Sequence, residues 1–375
     1  MKKKLNYSLI IITACLLVFG FLFLATLSAP ASLKAFGNTN YYLFHQMLYG
    51  LVPGIFLCII FYKIPLDFFK KSAPYLVLAN LIALGLVFLP IIGSKFWGAQ
   101  RWLNFGVATF QPSEFLKITA VLYLSALISN KLSEDQKKGW KFVMEKSYYN
   151  LKRVFLPFVI FLSVISLILI LQPDISTLGI IALTLVAMYF SVKTPLWHVP
   201  LIILTGIGGL ALLIKFEPYR LERILVFLHP EADPMGMGFH VKQSLIAIGS
   251  GGIFGKGLGM SSQKFGFLPQ AMTDSVFAIL GEETGILGCA ILIFLFLAFF
   301  WLGIKIARKS NDKFRQLTAV GITSWIIIQA FVNVSSSMGI FPLSGIPLPF
   351  FSYGSSHLVT ELIGVGLLLN ISKNT

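Results

Sequence analysis

Charged side chains are scarce in this chain, and the few that fall among apolar residues are concentrated. Glu114 and Lys117 stand in Gln111-Pro-Ser-Glu-Phe-Leu-Lys117, an i, i+3 spacing that places both on one face of a helix. Either charge alone is costly in lipid. The pair therefore reads as an ion bridge joining helices or as the lining of a cavity open to the outside. Asp274 ends the stretch Leu268-Pro-Gln-Ala-Met-Thr-Asp274, and Glu282 and Glu283 follow in the next apolar run. A carboxylate just before a helix is favoured by free N–H groups and the helix dipole, so Asp274 or Thr273 qualifies as an N-cap. Capping leaves Glu282 and Glu283 unexplained, and carboxylates at that depth mark a functional site by default. Such a set suits proton abstraction by a carboxylate beside cations that hold an anionic group.

Two further stretches carry polar or irregular backbone. Gly249 to Gly259 holds six glycines in eleven residues. As a phosphate loop it is weak, because no strand precedes it and no Gly-Lys-Ser/Thr follows. A tight re-entrant bend fits equally well. Arg220, Arg223, Lys242, Lys256 and Lys264 lie nearby in sequence, and are cations that could meet a diphosphate. Phe341 to Ser356 contains three prolines and two glycines, which break a helix; non-helical backbone at membrane depth is tolerated where it lines a cavity or is buried in protein. Asn333, Ser335, Ser336 and Ser337 precede it. His45, His198, His229, His240 and His357 show no ligand spacing, and no residue is assigned to a metal. Cys15, Cys58 and Cys289 sit in separate apolar runs and read as small apolar side chains.

The elements that must position these groups follow from composition. The chain has 375 residues, a net charge of +15, 56% hydrophobic and 12% charged residues, and a mean hydropathy of +0.82. The charge alone would suggest a nucleic-acid binder. A soluble domain carries about 25% charged residues, so half that share cannot cover a wetted surface. Nucleic acid is excluded as a partner, as are disordered, collagen-like and disulfide-scaffold classes. The chain reads as an all-α polytopic membrane protein.

Ten apolar runs are candidate spans: 8–28, 43–62, 74–92, 113–129, 154–171, 175–192, 196–214, 275–303, 318–340 and 356–371. A barrel would show short alternating strands instead. The first run has 21 residues, beyond the 7–15 of a signal-peptide core, so it reads as a retained span. With the N-terminus inside, the inner segments hold 20 basic and 5 acidic residues, and the remainder holds ten of each. The net charge is thus a topology signal, and both termini are expected to be cytoplasmic. One domain covers 1–375. It has a large extracytoplasmic loop at about 215–274, between spans seven and eight, in which 220–228 and 239–248 can form interfacial helices. The basic inner loop 130–153 reads as an orientation signal that also contacts anionic membrane lipids.

Taken in order, the motifs resemble the SEDS family of cell-wall polymerases, the FtsW/RodA/SpoVE group. The matching residues are Arg101-Trp102, Gln111-Pro-Ser-Glu114 with Lys117, Gln172-Pro-Asp174, Arg220 and Arg223, Gln243-Ser244, and Ser250-Gly-Gly252. They continue through Pro269, Thr273-Asp274, Gly281-Glu-Glu283, Gly345-Ile-Pro-Leu-Pro349 and Ser352-Tyr-Gly354. Ser176, Ser275 and Ser355 depart from the usual pattern. Gln263-Lys264, Gly281-Glu-Glu283 and the ending Gly366–Ser372 lean toward FtsW-like members.

The resemblance implies a peptidoglycan glycosyltransferase at the outer face of a bacterial cytoplasmic (inner) membrane. It would join lipid II into β-1,4 glycan strands for cell division or shape, inverting at the donor and releasing undecaprenyl diphosphate. Asp274 matches the family's key aspartate and is expected to be the catalytic base. Arg101, Glu114, Lys117, Arg220, Arg223, Gln243, Glu282, Glu283, Asn333 and Ser352 are the expected substrate-binding residues. A divalent cation, magnesium or manganese, is left open as a cofactor. The implied partners are the growing glycan strand, a class B penicillin-binding protein that acts as transpeptidase, and the division or elongation machinery. A lipid II flippase is the main alternative, and a scaffold that only recruits the transpeptidase is the third.

Overall fold

The structure is a computed structural model that describes residues 5–90, 92–96, 99–104, 106, 109–132, 154–192, 198–216, 219–229, 231, 233 and 235–373. Helix α1 (Tyr7–Phe36) starts at Asn6, whose side chain accepts from the Leu9 N–H, and stops at the left-handed Gly37. Helix α2 (Tyr41–Gln46) runs through a π-turn into α3 (Val52–Lys63), and α4 (Leu66–Leu86) follows. Strands β1 (Gly93–Phe96), β2 (Ala99–Asn104) and β3 (Thr109–Phe110) form an antiparallel sheet in the order β1-β2-β3. Ser94 pairs with Trp102 and Leu103 with Phe110. The helices then continue as α5 (Pro112–Leu132), α6 (Leu156–Leu171), α7 (Ile175–Ser191) and α8 (His198–Phe216). Next come the two short helices α9 (Tyr219–Leu228) and α10 (Met237–Ser250). The last three are α11 (Val276–Lys309), α12 (Lys313–Ser337) and α13 (Ser355–Ser372).

Among the described residues, helix covers the greater part of each of the ten apolar runs. Five helical stretches among the described residues are long and apolar enough to cross a bilayer: Tyr7–Phe36, Tyr41–Lys63, Val276–Lys309, Lys313–Ser337 and Ser355–Ser372. The strict all-α expectation needs correction for the small sheet. Its strands are two to six residues long, too short to show the alternation that marks a strand in sequence. The basic loop expected at 130–153 falls outside the described residues from 133 onward. Helix α13 lies at the centre, buried from His357 to Ile371, with α3 packed along it. The outer helices expose apolar side chains such as Phe56, Tyr75 and Phe294, as lipid-facing surfaces do.

Helix α11 is interrupted at Gly285, where φ is +66° and ψ is −166°. A break inside a membrane segment frees N–H and C=O groups that lipid cannot satisfy. The glycine-rich stretch after α10 satisfies them. The N–H groups of Lys256 and Gly257 donate to the Glu282 and Glu283 carbonyls, each at 3.0 Å, and those of Ile286 and Leu287 donate to the Gly252 and Ile253 carbonyls at 3.0 and 3.2 Å. The glycine-rich stretch is thus a bend packed against the α11 break. A Cβ at Gly285 would fall 2.5 Å from the Gly255 nitrogen and the Ile253 oxygen. Gly285→Ala is expected to destabilise the fold by about 1–3 kcal/mol from backbone strain, with the clash in addition. Thermal melting of the purified protein checks this, with Gly85→Ala, where a methyl group meets open space, as the unaffected control.

Candidate active site

Asp274 sits in a tight turn before α11. The N–H groups of Thr273, Asp274 and Ser275 all point at the Gln270 carbonyl, at 3.0, 3.2 and 3.3 Å. The Asp274 carboxylate does not cap the helix. The cap position is Ser275, which makes no side-chain capping bond. Its hydroxyl instead lies 2.9 Å from His240 Nε2 and donates to the Pro269 carbonyl at 2.9 Å. The Asp274 carbonyl accepts from Asn333 Nδ2 at 3.0 Å, and the same amide donates to the Ile346 carbonyl at 2.7 Å. Gly345 lies against the carboxylate, since a methyl group there would come 3.6 Å from Oδ2.

Burial pushes the Asp274 carboxyl up to about 6, while the Thr273 hydroxyl and the charges of Arg101 and Arg223 act in the opposite sense. The charges that act on this carboxylate thus come from two other elements, β2 through Arg101 and α9 through Arg223. Burial also holds the His240 imidazole below its ordinary value, so it is neutral near pH 7.

Arg101 is positioned by the two Gln-Pro motifs. Its Nε donates to the Gln172 carbonyl at 3.2 Å, a second guanidinium nitrogen donates to the Pro173 carbonyl, and the third lies 3.9 Å from Asp174 Oδ1. Asp174 caps α7 through the Thr177 N–H and accepts from Ser113 Oγ at 3.0 Å. Ser113 in turn accepts from Gln111 Nε2 at 3.1 Å. Gln172 Nε2 reaches the Leu84 carbonyl at 2.8 Å, which ties the motif to α4. Arg220 starts the same helix as Arg223, and its side chain lies outside the described residues. Gln243 is half-buried on α10.

Six of the expected substrate-binding residues make contacts within the fold. Lys117 and Glu114 are 3% and 4% exposed. Lys117 Nζ donates to Glu114 Oε2 at 2.9 Å and to Gln329 Oε1 at 2.8 Å, and it lies over the Trp325 ring. The pair is the helix-joining bridge, and Gln329 passes the connection on to the Pro347 carbonyl at 3.0 Å. Glu282 and Glu283 hold the loop that patches the α11 break. Glu282 accepts from Lys256 Nζ at 2.7 Å, from both hydroxyls of Ser261 and Ser262, and from the Ser262 and Gln263 N–H groups. Glu283 accepts from the Gly259 and Ser261 N–H groups and from Lys264 Nζ at 3.0 Å. Their partners in this structure are groups of the loop between Lys256 and Lys264. Asn333 fixes the backbone at Asp274, as described above. Ser352 accepts from the Leu348 N–H at 2.8 Å and donates to the Thr273 carbonyl.

Sequence reasoning gave no role to Gln329, His357, Glu361 or the His240–Ser275 pair. The available signal was their polarity inside long apolar helices or beside the key aspartate. Ser176, one of the departures from the family pattern, donates to the Ser344 carbonyl and so supports the same segment. Among the described residues, no three His, Cys, Asp or Glu side chains converge as metal ligands. Arg101 and Arg223 are the cations whose charges act on Asp274.

The pattern of the FtsW/RodA/SpoVE family, described as cell cycle proteins, matches residues 7–375. The chain is 35% identical to stage V sporulation protein E of Bacillus subtilis, over 99% of this chain and 98% of that one. It is 34% identical to a probable peptidoglycan glycosyltransferase FtsW of Coxiella burnetii, over all of both chains. Its fold resembles a chain from a peptidoglycan synthase complex in which polymerization and crosslinking are coordinated, with a TM-score of 0.75, 23% identity, and coverage of 99% of this chain and 98% of that one. It also resembles the rod shape determining protein RodA of Thermus thermophilus, with a TM-score of 0.67, 22% identity, and coverage of 99% and 97%.

Proposed function

We infer that this chain, which belongs to the FtsW/RodA/SpoVE family, is a peptidoglycan glycosyltransferase whose catalytic base is Asp274. It is a multi-pass membrane protein of the SEDS type with an FtsW-like leaning. In this reading the ten apolar helices span a bacterial inner membrane with both termini cytoplasmic, and the Asp274 site opens outside. The single observation that carries the assignment is the half-buried Asp274 carboxylate, held in place by the Gln270 turn and Asn333, on which the charges of Arg101 and Arg223 act.

The substrate is lipid II, and the acceptor is the growing glycan strand. Asp274 takes the proton of the acceptor sugar's 4-hydroxyl. The hydroxyl oxygen bonds to the donor's anomeric carbon as the carbon–oxygen bond to undecaprenyl diphosphate breaks, and that group leaves with the electron pair. One displacement converts an α-linked donor into a β-1,4 product, so no carboxylate nucleophile is needed. No carboxylic acid is needed for the leaving group either, because diphosphate departs as an anion. It needs cations instead, and Arg101 and Arg223, with Arg220, are the candidates. This chain builds no domain for cross-linking peptides among its described residues, so a class B penicillin-binding protein is the partner this reading requires. The resemblance to a chain of a peptidoglycan synthase complex supports that partner.

The pH dependence of polymerisation tests the base. Asp274 acts only when ionised, so kcat/KM is expected to fall below about pH 6, the value to which burial raises this carboxyl, and not only below the usual carboxylate range near 4. The Arg101 charge favours the ionised form. Arg101→Gln should therefore move the acidic limb to higher pH and lower the plateau by about 10²-fold through lost stabilisation of the leaving group. An unmoved limb, or one moved to lower pH, contradicts the assignment.

A further inference from the structure

Helix α13 is buried along its length, yet it carries His357 and Glu361 one turn apart, 5% and 0% exposed. Unpaired charge there is expensive. His357 Nδ1 lies 3.4 Å from Glu361 Oε1. The other Glu361 oxygen accepts from the Phe350 N–H at 2.8 Å. Phe350 has a φ of +64°, a left-handed conformation rarely adopted by a bulky side chain and kept only where the surroundings enforce it. His357 Nε2 is 2.8 Å from the Ser352 carbonyl. Helix α1 closes the other side, because its Gly20 has no Cβ; one there would fall 2.3 Å from the Phe350 oxygen.

The turn held in this way reaches the base. Ser352 Oγ donates to the Thr273 carbonyl, and the Tyr353 N–H donates to the Met272 carbonyl at 2.8 Å. These are the two residues immediately before Asp274. We propose that Glu361 and His357 are positioning residues for the reaction: they clamp the strained 350–353 turn, and the turn fixes the backbone that aims the Asp274 carboxylate. This rests on the reading of Asp274 as base. It differs from a purely structural role because a small shift of a reacting group slows chemistry far more than it weakens binding.

The test uses the purified full chain in nanodiscs with lipid II as substrate. Glu361→Ala is expected to lower kcat by about 10–100-fold, as a displacement of around 1 Å does, with KM for lipid II changed by less than about threefold. Glu361→Gln keeps an oxygen for the Phe350 N–H and is expected to recover most of the lost kcat. Asn370 holds the Phe61 and Ile64 carbonyls at the other end of the same helix. Asn370→Ala should lower the melting temperature while leaving kcat unchanged. If Glu361→Ala yields no folded protein, His357→Ala carries the same expectation of a fall in kcat. A wild-type kcat in the variant that folds overturns the clamp, as does a Gln variant no better than Ala, or a kcat loss in Asn370→Ala equal to that in Glu361→Ala. Asp274→Asn, run alongside, separates the two readings. An active Asp274→Asn overturns base and clamp together. An inactive one beside a fully active Glu361→Ala overturns the clamp alone.

Discussion

Asp274→Asn is expected to give a folded, membrane-inserted protein that polymerises no glycan. The substitution keeps the size and shape of the side chain. The bonds that shape this turn, from the Thr273, Asp274 and Ser275 N–H groups to the Gln270 carbonyl and from Asn333 Nδ2 to the Asp274 carbonyl, do not involve the carboxylate. Burial disfavours its ionised form. In the folded state its stabilising contribution is therefore present when it is protonated, at low pH, and is lost as pH rises through about 6. A neutral amide at pH 7 removes that penalty, so the melting temperature should hold or rise. Only the proton acceptor is lost, which lowers the rate by about 10²–10⁴-fold and leaves no polymer detectable in the time the wild type needs. Polymer length on gels and thermal melting of the same preparation separate the two effects.

Lys117→Met is expected to have the largest effect on stability. It leaves the Glu114 carboxylate, 4% exposed, without its cation, and removes one of the two donors to Gln329 Oε1, the other being Trp325 Nε1. Removing one partner of a buried pair destabilises by about 3–5 kcal/mol, whereas replacing both is often close to neutral. Glu114→Gln combined with Lys117→Met should therefore regain most of the lost melting temperature. A Lys117 that bound diphosphate would behave differently: the single variant would melt normally and show a raised KM for lipid II.

Residues with a local sequence signature announced themselves. The apolar runs mark the helices because only a helix satisfies its own backbone in lipid. Asp274 and Arg101 stand in motifs whose spacing is short. What remained hidden depends on contacts between distant parts of the chain. Glu282 meets Lys256 across 26 residues, and Lys117 meets Gln329 across 212. No periodicity reports such pairings, so the sequence does not show that these groups hold distant segments together. The break at Gly285 was masked because, Glu282 to Thr284 apart, the run around it is apolar on both sides. The sheet that presents Arg101 was masked by the shortness of its strands. Phe350 gives no hint in sequence of its left-handed backbone, since residues that tolerate that conformation easily are glycine and asparagine.

The central claim is that Asp274 catalyses glycan polymerisation on the outer side of the membrane. Its most direct test is the purified protein reconstituted in vesicles, with labelled lipid II supplied to the face that carries the Asp274 site. Wild-type protein is expected to convert it into glycan polymer with release of undecaprenyl diphosphate, and Asp274→Asn to give none while remaining folded. Polymer from Asp274→Asn, or movement of labelled lipid across the bilayer by the wild type without any polymer, would contradict the account.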